Sequence, residues 1–319
     1  MRIGLLNNLR AGRSGKQVWR LLDFLRSHPE VVTVETDRAG VLPEAVAELA
    51  RQEVELLVVN GGDGTLQHAL TEILGNRAFN GRIPMIAPLR GGRTNMSALD
   101  LGAQRDPRKG LAAIIEAVKE GTLETRLAPR RVLRVRHDRR GSALYGMFFG
   151  GGIVYRGIEL TNRAFPQGRS QGVAGATLVT ASLLGRTALG NRDGIMTPNK
   201  AQILLDGELV PQGEFALLIS TTLGRLFANM RPFWGTGPGG VRFTAMASGA
   251  QRMAAAFPGI LRGKPAAFVT PESGYTSRNV KRAELRLDCG FTVDGELVPA
   301  DPTRILSITA DNCLRFLRA

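Results

Sequence analysis

Cysteine is scarce: Cys289 and Cys313 are the only two among 319 residues. With no histidine or cysteine at metal-ligand spacing around them, they exclude a disulfide scaffold and read as reduced, structural residues. Phe, Trp and Tyr make up 6% of the chain and show no RNA-binding interleaving with glycine, so nucleic acid is not an expected partner. No run of about 18 apolar residues exists, so no membrane-spanning helix is expected. The most apolar stretch, Val173 to Leu184, is broken by Gly175, Thr177, Thr180 and Ser182. The start, Met1 to Asn7, turns polar too soon for a signal peptide, which points to a cytoplasmic chain. There is no nucleophile elbow and no Cys/His constellation, and His28, His68 and His137 are far apart in sequence. Nothing bears on oligomeric state.

What is present is glycine and positive charge. Thirty-nine glycines promise many turns, and a hydrophobic content of 43% is a globular value. Lys and Arg exceed Asp and Glu by 42 − 28 = 14. Such an excess suits nucleotide phosphates or an anionic membrane surface, and also an arginine-rich composition with no further meaning. The length allows two domains.

The most informative stretch is Val58-Val59-Asn60-Gly61-Gly62-Asp63-Gly64-Thr65-Leu66. Leu56 to Val59 reads as a buried strand. Three glycines follow within four residues, and then a helical face of Leu66, Ala69, Leu70, Ile73 and Leu74, ending near Gly75-Asn76. Strand, glycine turn and helix start together form a phosphate cradle: glycine admits close approach, and a helix start offers free N–H groups. Asp63 is the anomaly there. A carboxylate in an anion cradle implies a cation such as Mg²⁺ between it and a phosphate, or a tight βα turn in which Asp63 caps the helix.

The same order recurs. Ile3 to Leu6 reads as a strand, then a basic loop from Asn7 to Lys16, then a helical face of Val18, Leu21, Leu22 and Leu25. The loop lacks the first glycine of a Walker motif. Val31 to Glu35 reads as a strand, Pro43 to Glu53 as a helix, and Ile83 to Ala87 as another strand. A helix with Leu111, Ile114, Ile115 and Val118 ends at Glu120-Gly121. This predicts a parallel sheet covered on both faces, with ligands beyond the carboxyl ends of its strands. The loops after Leu6, Val59 and Ala87 share that edge.

The Gly-Gly-Asp-Gly-Thr motif after a buried strand resembles the signature of the diacylglycerol kinase and sphingosine kinase group, including bacterial lipid kinases. A related motif occurs in NAD kinases. The segment Pro88 to Gly102 is similar to the family's Pro-Leu-Gly-Thr-x-Asn-Asp-Phe-Ala…Leu-Gly block, with Pro88, Leu89, Gly92, Asn95, Ala98 and Leu101-Gly102 placed on it. Asn7 matches the asparagine of the family's first loop. The sequence departs from the pattern at three places: Arg93 replaces a phosphate-contacting threonine, Met96 an aspartate, and Ala128 a second aspartate in a strand that leads out of the first domain.

From Arg130 the pattern becomes short strands and turns, which predicts an antiparallel β-rich, sandwich-like second domain. The expected domains are 1–128, an α/β nucleotide-binding domain, and 129–319, whose tail from about 306 would by resemblance return to the first domain. Residues 130–149 read as a hairpin whose arginines are a solvated face or a lipid contact. Strands are expected at Ala201 to Leu205, Phe215 to Ser220, Val241 to Met246, Ala266 to Val269, Ala283 to Leu287, Phe291 to Val293 and Ile305 to Thr309. Helical stretches are expected at 173–186 and 249–262, and Gly235 to Gly240 reads as a flexible loop. Val293-Asp294-Gly295-Glu296 resembles a late family motif whose aspartate is the general base and whose glutamate lies near the nucleotide. Asp-Gly is also common turn chemistry, and Leu205-Asp206-Gly207-Glu208 is a second copy of the same type.

The resemblance implies an ATP-dependent kinase acting on a lipid hydroxyl, with a diacylglycerol-like or sphingoid acceptor. Gly61, Gly62, Gly64 and Thr65 would hold phosphate, with Asn7, Gly92, Thr94, Asn95 and Glu296 completing the nucleotide site. Asp63 would organise Mg²⁺, and Asp294 would take the hydroxyl proton. Peripheral contact with an anionic membrane goes with such a substrate. The departures at Arg93, Met96 and Ala128 keep a second reading open, a non-catalytic nucleotide- or lipid-binding member of the fold. An NAD-kinase-like small-molecule kinase ranks third, since a second NAD motif is absent.

Overall fold

The computed structural model describes residues 1–11, 15–137, 142–164 and 198–319. The expected helical stretch 173–186, and the hairpin turn residues Asp138 to Gly141, lie outside the described residues. The chain divides into two compact units: Met1–Arg131 with Cys313–Ala319, and Val132–Asn312.

The first unit holds β1 (Ile3–Asn8), α1 (Gly15–Arg26), β2 (Val32–Thr36), α2 (Leu42–Arg51), β3 (Leu56–Gly61), α3 (Asp63–Leu74), β4 (Met85–Arg90), α4 (Met96–Asp100) and α5 (Pro107–Lys119). The strands form a parallel sheet in the order β2-β1-β3-β4. Side chains alternate across such a sheet. Leu5, Val58 and Ala87 pack with Leu21 of α1 and Leu111 and Ile114 of α5 on one face. Gly4 lies toward the other face, where a Cβ would meet Val54 and Leu49. α5 opens as its sequence dictates, with Pro107 at its first turn and the Asp106 carboxylate accepting the Arg108 N–H at 3.0 Å. Glu30, before β2, receives His28 Nδ1 at 3.1 Å and Lys119 Nζ at 3.4 Å.

β4 begins at Met85 and runs to Arg90, so it is displaced from the expected Ile83 to Ala87. Pro84 cannot donate to a ladder, which sets the start. The outer edge of β4 is covered by residues 315–319. Ile86 N–H donates to the Arg315 carbonyl at 3.0 Å, and Leu317 N–H donates to the Ile86 carbonyl at 2.9 Å. The next donor in that ladder would be residue 88, a proline, and there the pairing stops. Leu317 and Ala319 join the core beneath. Leu123–Arg126, where the resemblance implied a strand, is a 3-10 turn.

The second unit is built on one antiparallel sheet. Its elements are β5 (Arg130–Arg136), β6 (Ala143–Gly146), β7 (Phe148–Gly152), α6 (Ile153–Ala164), β8 (Asn199–Leu205), β9 (Glu208–Leu209), β10 (Glu214–Thr221), β11 (Val241–Ala247), α7 (Met253–Leu261), β12 (Tyr275–Val280), β13 (Arg282–Leu287), β14 (Phe291–Val293), β15 (Glu296–Val298) and β16 (Leu306–Leu314). The main path is β15-β14-β7-β10-β8-β13-β16-β5-β6, with β11 and β12 branching from β10. Leu133 of β5 and Phe291 of β14, near opposite ends of that path, share one hydrophobic core. The sheet therefore curls around its core in the manner of a sandwich.

Two expectations fail here. Ala266 to Val269 is a turn, not a strand, and Ala266 and Ala267 are exposed. The segment Gly235 to Gly240 is not loose: it runs along β12, where a Cβ on Gly235 would stand 2.1 Å from the Ser277 carbonyl oxygen and one on Gly237 2.2 Å from that of Asn279. Alternate glycines let this segment cover a strand edge that would otherwise stay open.

Candidate functional site

The carboxyl ends of β1, β3 and β4 meet at one edge of the first unit, because the three strands are adjacent and in register: Asn7 lies beside Asn60, and Gly61 beside Arg90. The loops leaving β3 and β4 cross with no room for side chains. A Cβ on Gly92 would stand 2.3 Å from the Gly62 Cα, and one on Gly91 2.7 Å from the Gly61 nitrogen. Gly61 makes space for Thr65, whose side chain would lie 2.5 Å from a Cβ there. The Thr65 hydroxyl accepts from Asn8 Nδ2 at 2.9 Å, which ties the first loop to α3. Asn95 braces the third loop: its Oδ1 accepts the Gly92 N–H and its Nδ2 donates to the Gly92 carbonyl, both at 2.7 Å. Asn95 takes the left-handed conformation, φ 50°, at the start of α4. Thr94 beside it is half-buried, and Arg93 is exposed.

Asp63 is the first residue of α3, and Gly62 caps the helix. Its carboxylate reaches across to α4, accepting the Met96 N–H at 3.0 Å and the Ser97 N–H at 2.9 Å. The acid thus closes the start of a second helix, 33 residues on in sequence. Burial pushes its carboxyl above the usual range, opposed by the Ser97 and Met96 amides. Met96 is buried, at 6% exposure, and so is Ala128 at 3%. Among the described residues there is no group of three His, Cys, Asp or Glu that could hold a metal ion. Both Asp63 oxygens receive backbone N–H groups, so a Mg²⁺ ion held by Asp63 would share that carboxylate with the α4 amides and draw its other ligands from nucleotide phosphates and water.

Phosphate fits as well. Asn60 Nδ2 donates to Asn7 Oδ1 at 2.8 Å, and the pair leaves Asn7 Nδ2 and Asn60 Oδ1 without partners, although both residues are buried. An orphaned buried donor costs about 1–3 kcal/mol. Asn7 Nδ2 would be satisfied by an acceptor oxygen brought to this edge. α3 adds first-turn N–H groups, including those of Gly64 and Thr65, that lack intrahelical acceptors. The cavity beneath the crossed loops, lined by Val59, Gly62, Asp63 and Asn95 among others, is only about 10 Å³. That is room for one water at most. A nucleotide would lie on the outer side of the glycine turns.

In the second unit Asp294 and Gly295 make the two-residue turn between β14 and β15, both at positive φ, 49° and 96°. The Asp294 carboxylate accepts the Met147 N–H at 2.8 Å and the Phe148 N–H at 2.9 Å, and the residue is 6% exposed. Glu296 opens β15 and is exposed. The Asp206-Gly207 turn is a structural duplicate at φ 51° and 88°, and the Asp206 carboxylate likewise accepts the Lys281 and Arg282 N–H groups. The two differ in burial, since Asp206 is exposed.

Residues 2–125 match the family model described as the diacylglycerol kinase catalytic domain. The first domain belongs to that family. No curated protein matches the chain. Among solved structures, a protein from Bacillus anthracis str. Sterne named provisionally as a diacylglycerol kinase is similar over 100% of this chain and 97% of its own, at 17% identity and a TM-score of 0.68. Another from the same organism, named as a diacylglycerol kinase, gives 14% identity and a TM-score of 0.63 at the same coverage. At such identity these likenesses show that the fold is shared through both units.

Within the diacylglycerol kinase domain, the sequence motifs and the geometry select overlapping residues. Asn7, Gly61, Gly62, Gly92, Thr94 and Asn95 lie on the three strand ends or the turns that leave them, and Gly64 and Thr65 lie in the first turn of α3. Asn60 and Asn8 join them, and the sequence reading did not single them out as ligands. The available signal was a pair of amides where buried apolar strands end.

Proposed function

We propose that the protein is a kinase of the diacylglycerol kinase type that transfers the γ-phosphoryl group of ATP to a lipid hydroxyl. The observation that carries this reading is the crossing of Gly62 and Gly92 beside an unpartnered Asn7 Nδ2, a close-approach edge with a donor to spare, in a domain of this family. In the transfer, the bond from the γ-phosphorus to the bridging oxygen breaks and one to the lipid oxygen forms. The hydroxyl proton goes to a base, for which Asp294 is our candidate. Its carboxylate accepts the Met147 and Phe148 amides at the turn between β14 and β15. Those amides aim the group. Glu296 and Thr94 are proposed nucleotide contacts.

A second reading has its own support. The carboxylates of Asp63 and Asp294 are both engaged by backbone amides, and the acids of the family pattern are replaced by buried Met96 and Ala128. A nucleotide-binding protein without turnover would look the same. Purified protein with radiolabelled ATP, tested against diacylglycerols, sphingoid bases and NAD, separates the two. Label transferred to a lipid, and lost in Asp294→Asn with ATP binding intact, supports the kinase. ATP binding with no acceptor labelled supports the second reading, and transfer to NAD alone overturns the lipid assignment.

A further inference from the structure

α7 breaks the usual pattern of a surface helix. Ala256 and Ile260 make its buried stripe. The positions that look outward, Ala254, Ala255 and Pro258, are exposed and apolar, and no polar side chain occurs from Met253 to Leu261. A helix on the surface of a globular domain normally carries charge on its outer face, and one apolar all round is covered by something. Phe257 and Leu261 are partly exposed as well.

The rim of this face is cationic. Arg231 N–H donates to the Leu261 carbonyl at 2.8 Å, which brings Arg231 to the helix end beside Arg262 and Lys264. All three are exposed, and none pairs with a carboxylate among the described residues. The stretch from Phe215 to Pro271 contains six Arg or Lys and no Asp or Glu. Trp234 packs partly buried against the cluster that holds Ile260.

We infer that the α7 face is a docking surface for an anionic lipid bilayer, with the apolar outer stripe entering the headgroup boundary and Arg231, Arg262 and Lys264 meeting lipid phosphates. At nine residues α7 is far too short to cross a bilayer of about 30 Å, so the contact is peripheral. An indole beside an apolar stripe suits the same boundary. The inference rests on this surface alone and does not require that the chain turn over a lipid.

The test uses the full chain and vesicles of phosphatidylcholine, with and without phosphatidylglycerol. Binding is expected only with the anionic lipid and should weaken with salt. In a Trp19→Phe background, Trp234 emission should shift to the blue on binding. Arg262→Glu with Lys264→Glu should weaken binding at least about tenfold, and Ala254→Glu with Ala255→Glu should do the same, each with the unfolding midpoint unchanged. Asp294→Asn should bind vesicles like the parent, which separates this proposal from the kinase assignment. No binding to either vesicle, charge reversal without effect, or capture of soluble polyglutamate in place of vesicles would each overturn it, the last in favour of an acidic protein partner.

Discussion

Gly92 lies backbone to backbone against Gly62, and the contact is one-sided. A Cβ on Gly92 would stand 2.3 Å from the Gly62 Cα, whereas one on Gly62 would meet only the Gly92 Cα at an ordinary 3.5 Å. Gly62 is also extended, at φ −89° and ψ −177°. We expect Gly92→Ala to push the two loops apart, at a cost of about 1–3 kcal/mol and with weakened ATP binding. Gly62→Ala should leave stability nearly unchanged. Urea unfolding and nucleotide titration of the two variants check this, and equal costs would contradict the crossing.

Asp63 fastens α3 to α4, so its removal should be read first as a structural change. Asp63→Asn keeps one acceptor but turns an NH₂ toward the second amide. A loss of about 1–3 kcal/mol is expected from one buried donor left unpaired. Asp63→Ala should cost more. If magnesium affinity fell in Asp63→Asn while its unfolding midpoint stayed put, the clamp would not be the main role of this acid.

Asp294 and Asp206 allow a matched comparison, since both sit in Asp-Gly turns and both accept two strand amides. Asp294→Asn should abolish phosphoryl transfer while ATP binding persists. Asp206→Asn should lower stability by about 1 kcal/mol and leave the specific activity of folded protein unchanged. Radiolabel transfer and thermal unfolding on both proteins give the answer. Activity lost equally in the two would show that the turn, not the carboxylate, is what matters.

Glu30 supplies a pH prediction. Hydrogen bonding from His28, above all, together with its own backbone and Lys119, holds its carboxyl down to about 2 from an ordinary 4.5. A depressed folded value means stability that is present above 4.5 and lost as pH falls through about 2. Glu30→Gln should flatten that part of the acid limb. Unfolding midpoints followed through this window should show the variant less sensitive than the parent.

The α/β half was legible because its signals are local. Buried apolar runs ending in Asn or Gly, followed by helical periodicity, mark β1, α1, β3 and α3 without any long-range information. α4 was not legible: five residues carry no period, and its start depends on a left-handed Asn95 and a carboxylate 33 positions earlier. β12 was missed because its middle, Thr276 to Asn279, is polar, and the segment that covers its edge is made of glycines with no pattern of their own. Ala266 to Val269 misled in the opposite way, as an apolar run that never pairs. At the candidate site the glycines marked the turns where the loops cross, whereas the amide contacts of Asp63 and Asp294 join residues far apart in sequence and leave no local pattern.

The strip formed by residues 315–319 on the edge of β4 sets an order of assembly during synthesis. Residues 132–312 emerge between the body of the first unit and the strand that finishes its sheet. At about 5–20 residues per second the ribosome needs roughly 10–35 s for that interval. Throughout it, β4 has an open edge and the places filled by Leu317 and Ala319 are empty. The α/β half, although translated first, therefore becomes complete last.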